Sequence, residues 1–404
     1  MLRLKTNILT PLADGRVVYL PQRVITIQSG CISAINQSGD YDQDLSHTFC
    51  TPGFIDTHVH LSQHSVRGSH SDHLLKWLNT YIFPQERRSQ DARYARESAK
   101  TFFTDLIAAG TTTAVIYTAP FAVACQTAFE EAQAAGVRAV IGKTMMDQNC
   151  PDYLQEDTTQ SVDESIALYE QWHSASPLLD YVFTPRFAPT CSSRLMQQTA
   201  DFACDHEAYI QTHLSENPDE IAWVKELFPS SSSYTGVYAD HGLLTPNTLL
   251  GHCIHLQKSE IQLIAEHGSS ITHCPDSNFF LKSGAFPWRQ IEDAGIPFAL
   301  ASDVGAGTTL VMPHVMHMAH YRQEHTALTL EEVFYRATLA GAEILHKDHI
   351  IGSVETGKAA DLVLRDLPQS DKHSASSLLS HLTYRSTELP IRRVYIQGQL
   401  QLNR

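Results

Sequence analysis

No two cysteines of this chain form a Cys-x-x-Cys pair. The eight present, at positions 31, 50, 125, 150, 191, 204, 253 and 274, are scattered over 404 residues. That is too sparse for a disulfide framework and wrong for a Cys-ligated zinc site, so a reducing compartment is expected. Long apolar runs are also missing, and none approaches the roughly 18 residues needed to span a bilayer. The opening stretch, MLRLKTNILTPLADGRVVYL, holds no apolar core followed by a small-residue cleavage site. A cytoplasmic protein is the expectation. Basic residues are scarce: 29 Lys and Arg stand against 44 Asp and Glu, a net charge of −15. Such a surface repels phosphate backbones and anionic lipid, which argues against a nucleic-acid polymer or a membrane as partner. With 43% apolar and 18% charged residues and no low-complexity tract, the composition excludes disordered, collagen-like and coiled-coil proteins.

What is present is a change of texture along the chain. Residues 1–50 carry short β-like segments (Val17–Leu20, Arg23–Ile27, Cys31–Ile35) without helical periodicity. From about 52 to 350, short apolar runs alternate with stretches of helical period, such as Gln90–Ala109, Pro120–Ala135, Ser161–Ser174 and Glu331–His346. The expected strands are Phe54–His60, Thr111–Tyr117, Ala139–Met145, Tyr181–Phe187, Ala208–His213, Thr248–His252, Ser270–Cys274 and Pro297–Asp303. Eight βα units in this span suit an α/β fold of the TIM (β/α)8 barrel type. Beyond it, Ala360–Arg365 and Ile391–Leu400 return to β character. Residues 1–51 and 352–404 therefore read as two halves of one small β domain outside a 52–351 barrel. The polar run Pro368–Ser377 is expected to be a mobile loop.

Barrel active sites collect at the C-terminal ends of the strands. The polar residues there are His58, His60, Arg186, His213, His252, His273 and Asp303. Residues two apart on a strand face the same way, so His58 and His60 both point into the mouth. With His213 and Asp303 they make three imidazoles and a carboxylate around an open position, a donor set suited to a catalytic zinc. A single histidine among 22 would more often be a core or surface residue; it is the combination that carries weight. His314, His317 and His320 would climb roughly 9 Å along a helix, too drawn out to converge on one ion, and are assigned no metal.

The run Pro52-Gly53-Phe54-Ile55-Asp56-Thr57-His58-Val59-His60 resembles the opening of the amidohydrolase superfamily, and Ala301-Ser302-Asp303 resembles its strand-eight end. Further runs are similar to those of the superfamily's guanine-deaminating members: His60-Leu61-Ser62-Gln63, Trp77-Leu78 to Phe83-Pro84, Thr184-Pro185-Arg186-Phe187, Gln211 to Asn217, Gly251-His252-Cys253 and His273 to Asn278. The resemblance spans about residues 50–365. It implies a distorted TIM barrel with a composite β-sandwich from both termini, a homodimer, and one metal per subunit. A single metal is favoured because the expected fourth strand ends in Arg186-Phe187, not in the lysine that bridges two ions in dinuclear members. The ion is Zn2+ or Fe2+, which such a donor set accepts alike. The deaminase fold built on His-x-Glu and Pro-Cys-x-x-Cys is excluded, because Cys150-Pro151 and Cys274-Pro275 are in the wrong order.

On this reading Glu216, three residues beyond His213, carries protons to the substrate ring; the alternative is a solvated loop glutamate. His252 orients the attacking water and stabilises the oxyanion, or else is a satisfied core histidine. Asp303 ligates the ion and accepts the water's proton. By resemblance Arg186 holds the carbonyl edge of the purine and Gln63 the neighbouring ring edge, with Phe187 walling the pocket; Arg186 could instead serve a structural ion pair and Phe187 the core. The expected substrate is guanine, converted to xanthine. A sister activity on an adenine-type, pterin or triazine ring, or an inactive scaffold of the same fold, is the alternative. The long segment Leu61–Arg87, with Trp77, Tyr81 and Phe83, either covers the pocket or meets a partner subunit.

Overall fold

A computed structural model describes residues 1–71, 74–323, 326–370 and 372–404. Four strands open the chain: β1 (Leu2–Pro11), β2 (Val17–Gln28), β3 (Cys31–Asn36) and β4 (Gln43–Pro52). The barrel follows, as β5 (Phe54–His60), β6 (Thr111–Tyr117), β7 (Arg138–Gly142), β8 (Thr144–Met145), β9 (Leu179–Pro185), β10 (Tyr209–Leu214), β11 (Thr248–His252), β12 (Ser270–His273) and β13 (Phe298–Leu300). The chain ends with β14 (Leu362–Asp366), β15 (Ile391–Ile396) and β16 (Gln399–Asn403). Eight strands lie parallel in the order β13-β12-β11-β10-β9-β7-β6-β5, with the two-residue β8 beside β9, and helices pack outside. This is the expected (β/α)8 arrangement. The other sheet, β16-β15-β14-β4-β1-β2-β3, joins the two termini where β4 pairs antiparallel with β14.

The barrel closes irregularly between β5 and the segment after β13. Thr57 Oγ1 donates to the Leu300 carbonyl at 3.1 Å, Asp303 N to His58 O at 2.8 Å, and His60 N to Val304 O at 2.6 Å. The buried carboxylate of Asp56 accepts from Ser302 N at 2.9 Å. These bonds set Asp303 beside His58 and His60. Ile55 and Thr57 lie against Gly341 of the short helix Leu339–Glu343, which plugs the barrel with Ile55, Val115, Val140, Val182 and Leu249. Strict alternation would then turn His58 away from the interior. The β5–β6 register shifts between Asp56 and Val59, and such a shift exchanges the faces of the residues beyond it.

Several sequence expectations are corrected. β1 and β4 were not anticipated, because a bulge between Thr6 and Ile8 breaks the alternation of β1. Ala139–Met145 divides into β7 and β8 at Lys143, whose ammonium turns aside to the buried ion pair with Glu156. The stretch Glu331–His346 is two short helices, Leu330–Arg336 and Leu339–Glu343, because Thr338 Oγ1 bonds back to the Phe334 carbonyl at 2.6 Å and interrupts the ladder. The polar run before Ser377 does not end in a loop: Ser374 caps the helix Ala375–Tyr384, accepting from Ser377 N at 3.1 Å, while Asp371 lies outside the described residues. Among the described residues no helix is long and apolar enough to cross a membrane.

Close approach requires glycine at positions 53 and 142, among others. A Cβ on Gly53, at the junction of β4 and β5, would lie 1.9 Å from Thr112 Oγ1. One on Gly142, at the end of β7, would lie 2.2 Å from the main-chain oxygen of Val182, which cannot rotate away. Gly142→Ala is therefore expected to cost about 1–3 kcal/mol through overpacking, read as a lower urea midpoint with an unchanged slope.

Candidate active site

The strand ends bring the expected polar residues together. His60 Nε2 lies 3.2 Å from His58 Nε2, 3.3 Å from His213 Nε2 and 3.2 Å from Asp303 Oδ1; His58 Nε2 is 3.4 Å from the same oxygen. His213 turns its Nδ1 to the Arg186 carbonyl at 2.7 Å, so its Nε2 faces the cluster as a lone pair. Burial holds the imidazoles neutral, bringing His58 down to about 4 and lowering His60 and His213 as well. Asp303 goes the other way: burial opposes its charge, but hydrogen bonds from His58 and His60 keep it well below the usual carboxylate range. Neutral imidazole nitrogens crowded on one carboxylate oxygen are a poor arrangement by themselves and a good one around a cation. The donor atoms of His58, His60 and His213 all lie within 4.8 Å of one another, as do those of His58, His252, Cys274 and Asp303. The residues fit a divalent ion.

Glu216 and His252 stand beside this cluster. His252 Nε2 is 3.6 Å from Glu216 Oε2 and 3.8 Å from Asp303 Oδ2, while its Nδ1 meets Asn278 Oδ1 at 2.9 Å. Glu216 Oε1 accepts from Ser283 Oγ at 3.1 Å. Burial drives the Glu216 carboxyl up to about 7; His252 pulls it down, and the Glu220 and Asp303 carboxylates push it up. A group balanced near neutrality can both give and take a proton. Ser215, His252, Cys253 and Asp303 hold positive φ of 51°, 67°, 54° and 48°. That is strained backbone for residues other than glycine, gathered where the strands deliver their side chains.

Gln63 and Arg186 meet through a residue the sequence reading missed. Glu86, fully buried, accepts from Gln63 Nε2 at 2.9 Å and from Arg186 Nη1 at 2.8 Å. Its only signal was a single acidic residue, followed by Arg87 and Arg88, behind the aromatic run Trp77 to Phe83. Gln63, Arg186, Phe187, His60, His213, Glu216, His252 and Asp303 line one cavity. Its cover is the segment after β5, folded into short helical turns that contribute Leu74, Trp77 and Leu78. Leu61–Arg87 thus covers the pocket, one of the two roles expected of it, with Asp72 and His73 outside the described residues. Asn278, Ser283 and Glu220 were also unforeseen as neighbours.

Two groups of histidines stand apart. His273 packs flat on Phe286, ring centroids 4.2 Å apart, and burial holds it down to about 3. His314 reaches Asp276 at 3.5 Å, His317 packs on Tyr384, and His320 Nδ1 meets the Tyr384 hydroxyl at 2.5 Å. Along one helix face His314 pairs with Asp276, while His317 and His320 share Tyr384.

The amidohydrolase family model matches residues 49–400. The guanine deaminase of Escherichia coli (strain K12) is 37% identical over 373 residues, covering 90% of this chain and 85% of that protein. Among solved structures, E. coli guanine deaminase superposes with a TM-score of 0.94 at 32% identity over 100% of both chains. Guanine deaminase from C. acetobutylicum with bound guanine in the active site gives 0.92 at 30% identity over 99% of each.

Proposed function

The chain belongs to the amidohydrolase family and to the guanine deaminases within it, and from that premise we propose how its own residues turn guanine into xanthine and ammonia. The observation that carries the reading is one cavity lined by His60, His213 and Asp303, with His58 3.2 Å behind His60, together with Glu216, Gln63 and Arg186. His58, His60, His213 and Asp303 would hold one ion, which we assign as zinc with Fe2+ as the alternative. When bound, that ion supplies Lewis-acid activation of water near neutral pH.

The residues of the chain do the rest. Asp303 takes the proton of the attacking water. Glu216 passes a proton from Oε2 to the ring nitrogen next to the carbon that bears the amine and regains one from the added hydroxyl as the new carbonyl forms, while the proton held by Asp303 goes to the amine, which leaves as ammonia. His252, held by Asn278, steadies the oxygen as it bonds to that carbon. Arg186 donates to the purine carbonyl, Gln63 meets the adjacent ring edge, and Phe187, packed with Leu74, Trp77 and Leu78, walls the ring and keeps water out.

The same proposal takes residues 52–351 as the catalytic unit, with 1–51 and 352–404 as one companion domain. It includes a homodimer, checked by light scattering, and a cytoplasmic setting in purine catabolism. The direct test is ammonia release by the zinc-loaded protein from guanine, adenine, cytosine, guanosine and pterin. Activity on guanine alone is expected. Activity only on another ring would keep the metal chemistry and discard the roles of Gln63 and Arg186, and a metal-loaded protein inert on all five would be a scaffold.

A further inference from the structure

We infer that Glu86 is a positioning residue that fixes the hydrogen-bond polarity of the substrate cavity, making it complementary to a ring N–H beside a carbonyl. The inference rests on the guanine reading above and names the feature of the substrate that is read. Glu86 does not itself line the cavity. It lies behind Gln63 and Arg186, with one carboxylate oxygen committed to each. An ionised carboxylate only accepts hydrogen bonds, so the Gln63 amide must turn its NH2 toward Glu86. Its carbonyl oxygen, which accepts no hydrogen bond among the described residues, is then the group left for the cavity. Arg186 gives Nη1 to Glu86 and keeps Nη2, which has no partner among the described residues, as a donor. An acceptor and a donor thus stand side by side.

That pair matches a lactam edge, N–H next to C=O. It mismatches a ring with a bare nitrogen next to an amine, where a donor would face a donor and an acceptor an acceptor. Mismatches of this kind are costly because the buried polar groups are left unpaired. Glu86 also neutralises Arg186, which is itself buried, so the guanidinium reads the carbonyl without drawing in anions at large.

Guanine and 2,6-diaminopurine test the point, since both carry the 2-amino group to be lost and differ only at this edge. The ratio of kcat/KM for guanine to that for 2,6-diaminopurine is measured on the metal-loaded wild type and on Glu86→Gln. The new amide can donate to the Gln63 carbonyl, releasing Gln63 to turn its NH2 to the cavity. The ratio is expected to fall by at least about tenfold, chiefly through a higher KM for guanine, with metal content unchanged. Glu86→Asp is the second variant, for use if Glu86→Gln does not fold. It keeps the charge opposite Arg186, but one methylene less prevents it from reaching both partners, and the ratio should fall there too. A folded, metal-loaded variant that loses activity on both purines in parallel, leaving the ratio unmoved, would overturn the inference. A wild type inactive on guanine would overturn the functional reading instead, a separate result.

Discussion

Glu216→Gln is expected to lower kcat by about 10²–10⁴-fold, the usual worth of a positioned proton carrier, with metal content and KM for guanine little changed. The cavity holds two buried glutamates, and their partners tell them apart. Glu220 is saturated: Oε2 accepts from Glu216 N at 3.0 Å and Asn217 N at 3.2 Å, and Oε1 from the Tyr234 hydroxyl at 2.7 Å. It closes the capping box of the helix Pro218–Leu227 and holds the loop on which Glu216 rides. Glu216 has one oxygen on Ser283 and the other free toward His252 and the cavity. Its amide analogue can still accept from Ser283, so the fold should survive while the proton route is lost. Glu220→Gln is expected to act on thermal stability more than on kcat. Equal loss of kcat in the two variants, at equal stability, would remove the assignment.

The legibility of this site in the sequence follows the range of the contacts. His58, His60, His213, His252 and Asp303 were visible because barrel geometry converts a strand end into a place, and the four strand ends that carry them share one mouth. Even there one device leaves no mark in the sequence: His58 faces inward only because the register with β6 shifts beyond Asp56. Glu86 lay 23 residues from Gln63 and 100 from Arg186, in a segment whose short helical turns have no clear period. No local pattern marks a carboxylate that bridges two distant side chains. The same holds for the fold. Strands with uninterrupted apolar runs, such as β6, were readable, whereas β1 was hidden by its bulge and the helix Ala375–Tyr384 by a serine-rich start. That serine run looks like a loop until one sees that Ser374 is its cap.

His60→Ala should lose the metal and the activity together. His60 is the hub of the cluster, within 3.2–3.3 Å of His58, His213 and Asp303. Changes to residues that merely orient a metal ligand cost about 10–100-fold in affinity or activity, so removing this imidazole should cost more than about 100-fold in both. The loss should also appear in stability, because an ion that binds only the folded chain adds about 2.7 kcal/mol at a hundredfold excess over its Kd. A chelator is therefore expected to lower the melting temperature of the wild type and to leave that of His60→Ala unmoved. His252→Ala is the contrasting variant: its ring contacts Glu216 and Asp303 from the side and takes its orientation from Asn278, so it should retain the metal and the chelator response while losing kcat. Metal analysis with paired melting curves separates the two. Full metal occupancy in His60→Ala would mean that the ion is held elsewhere, among His58, His252, Cys274 and Asp303, whose donor atoms also converge within 4.8 Å.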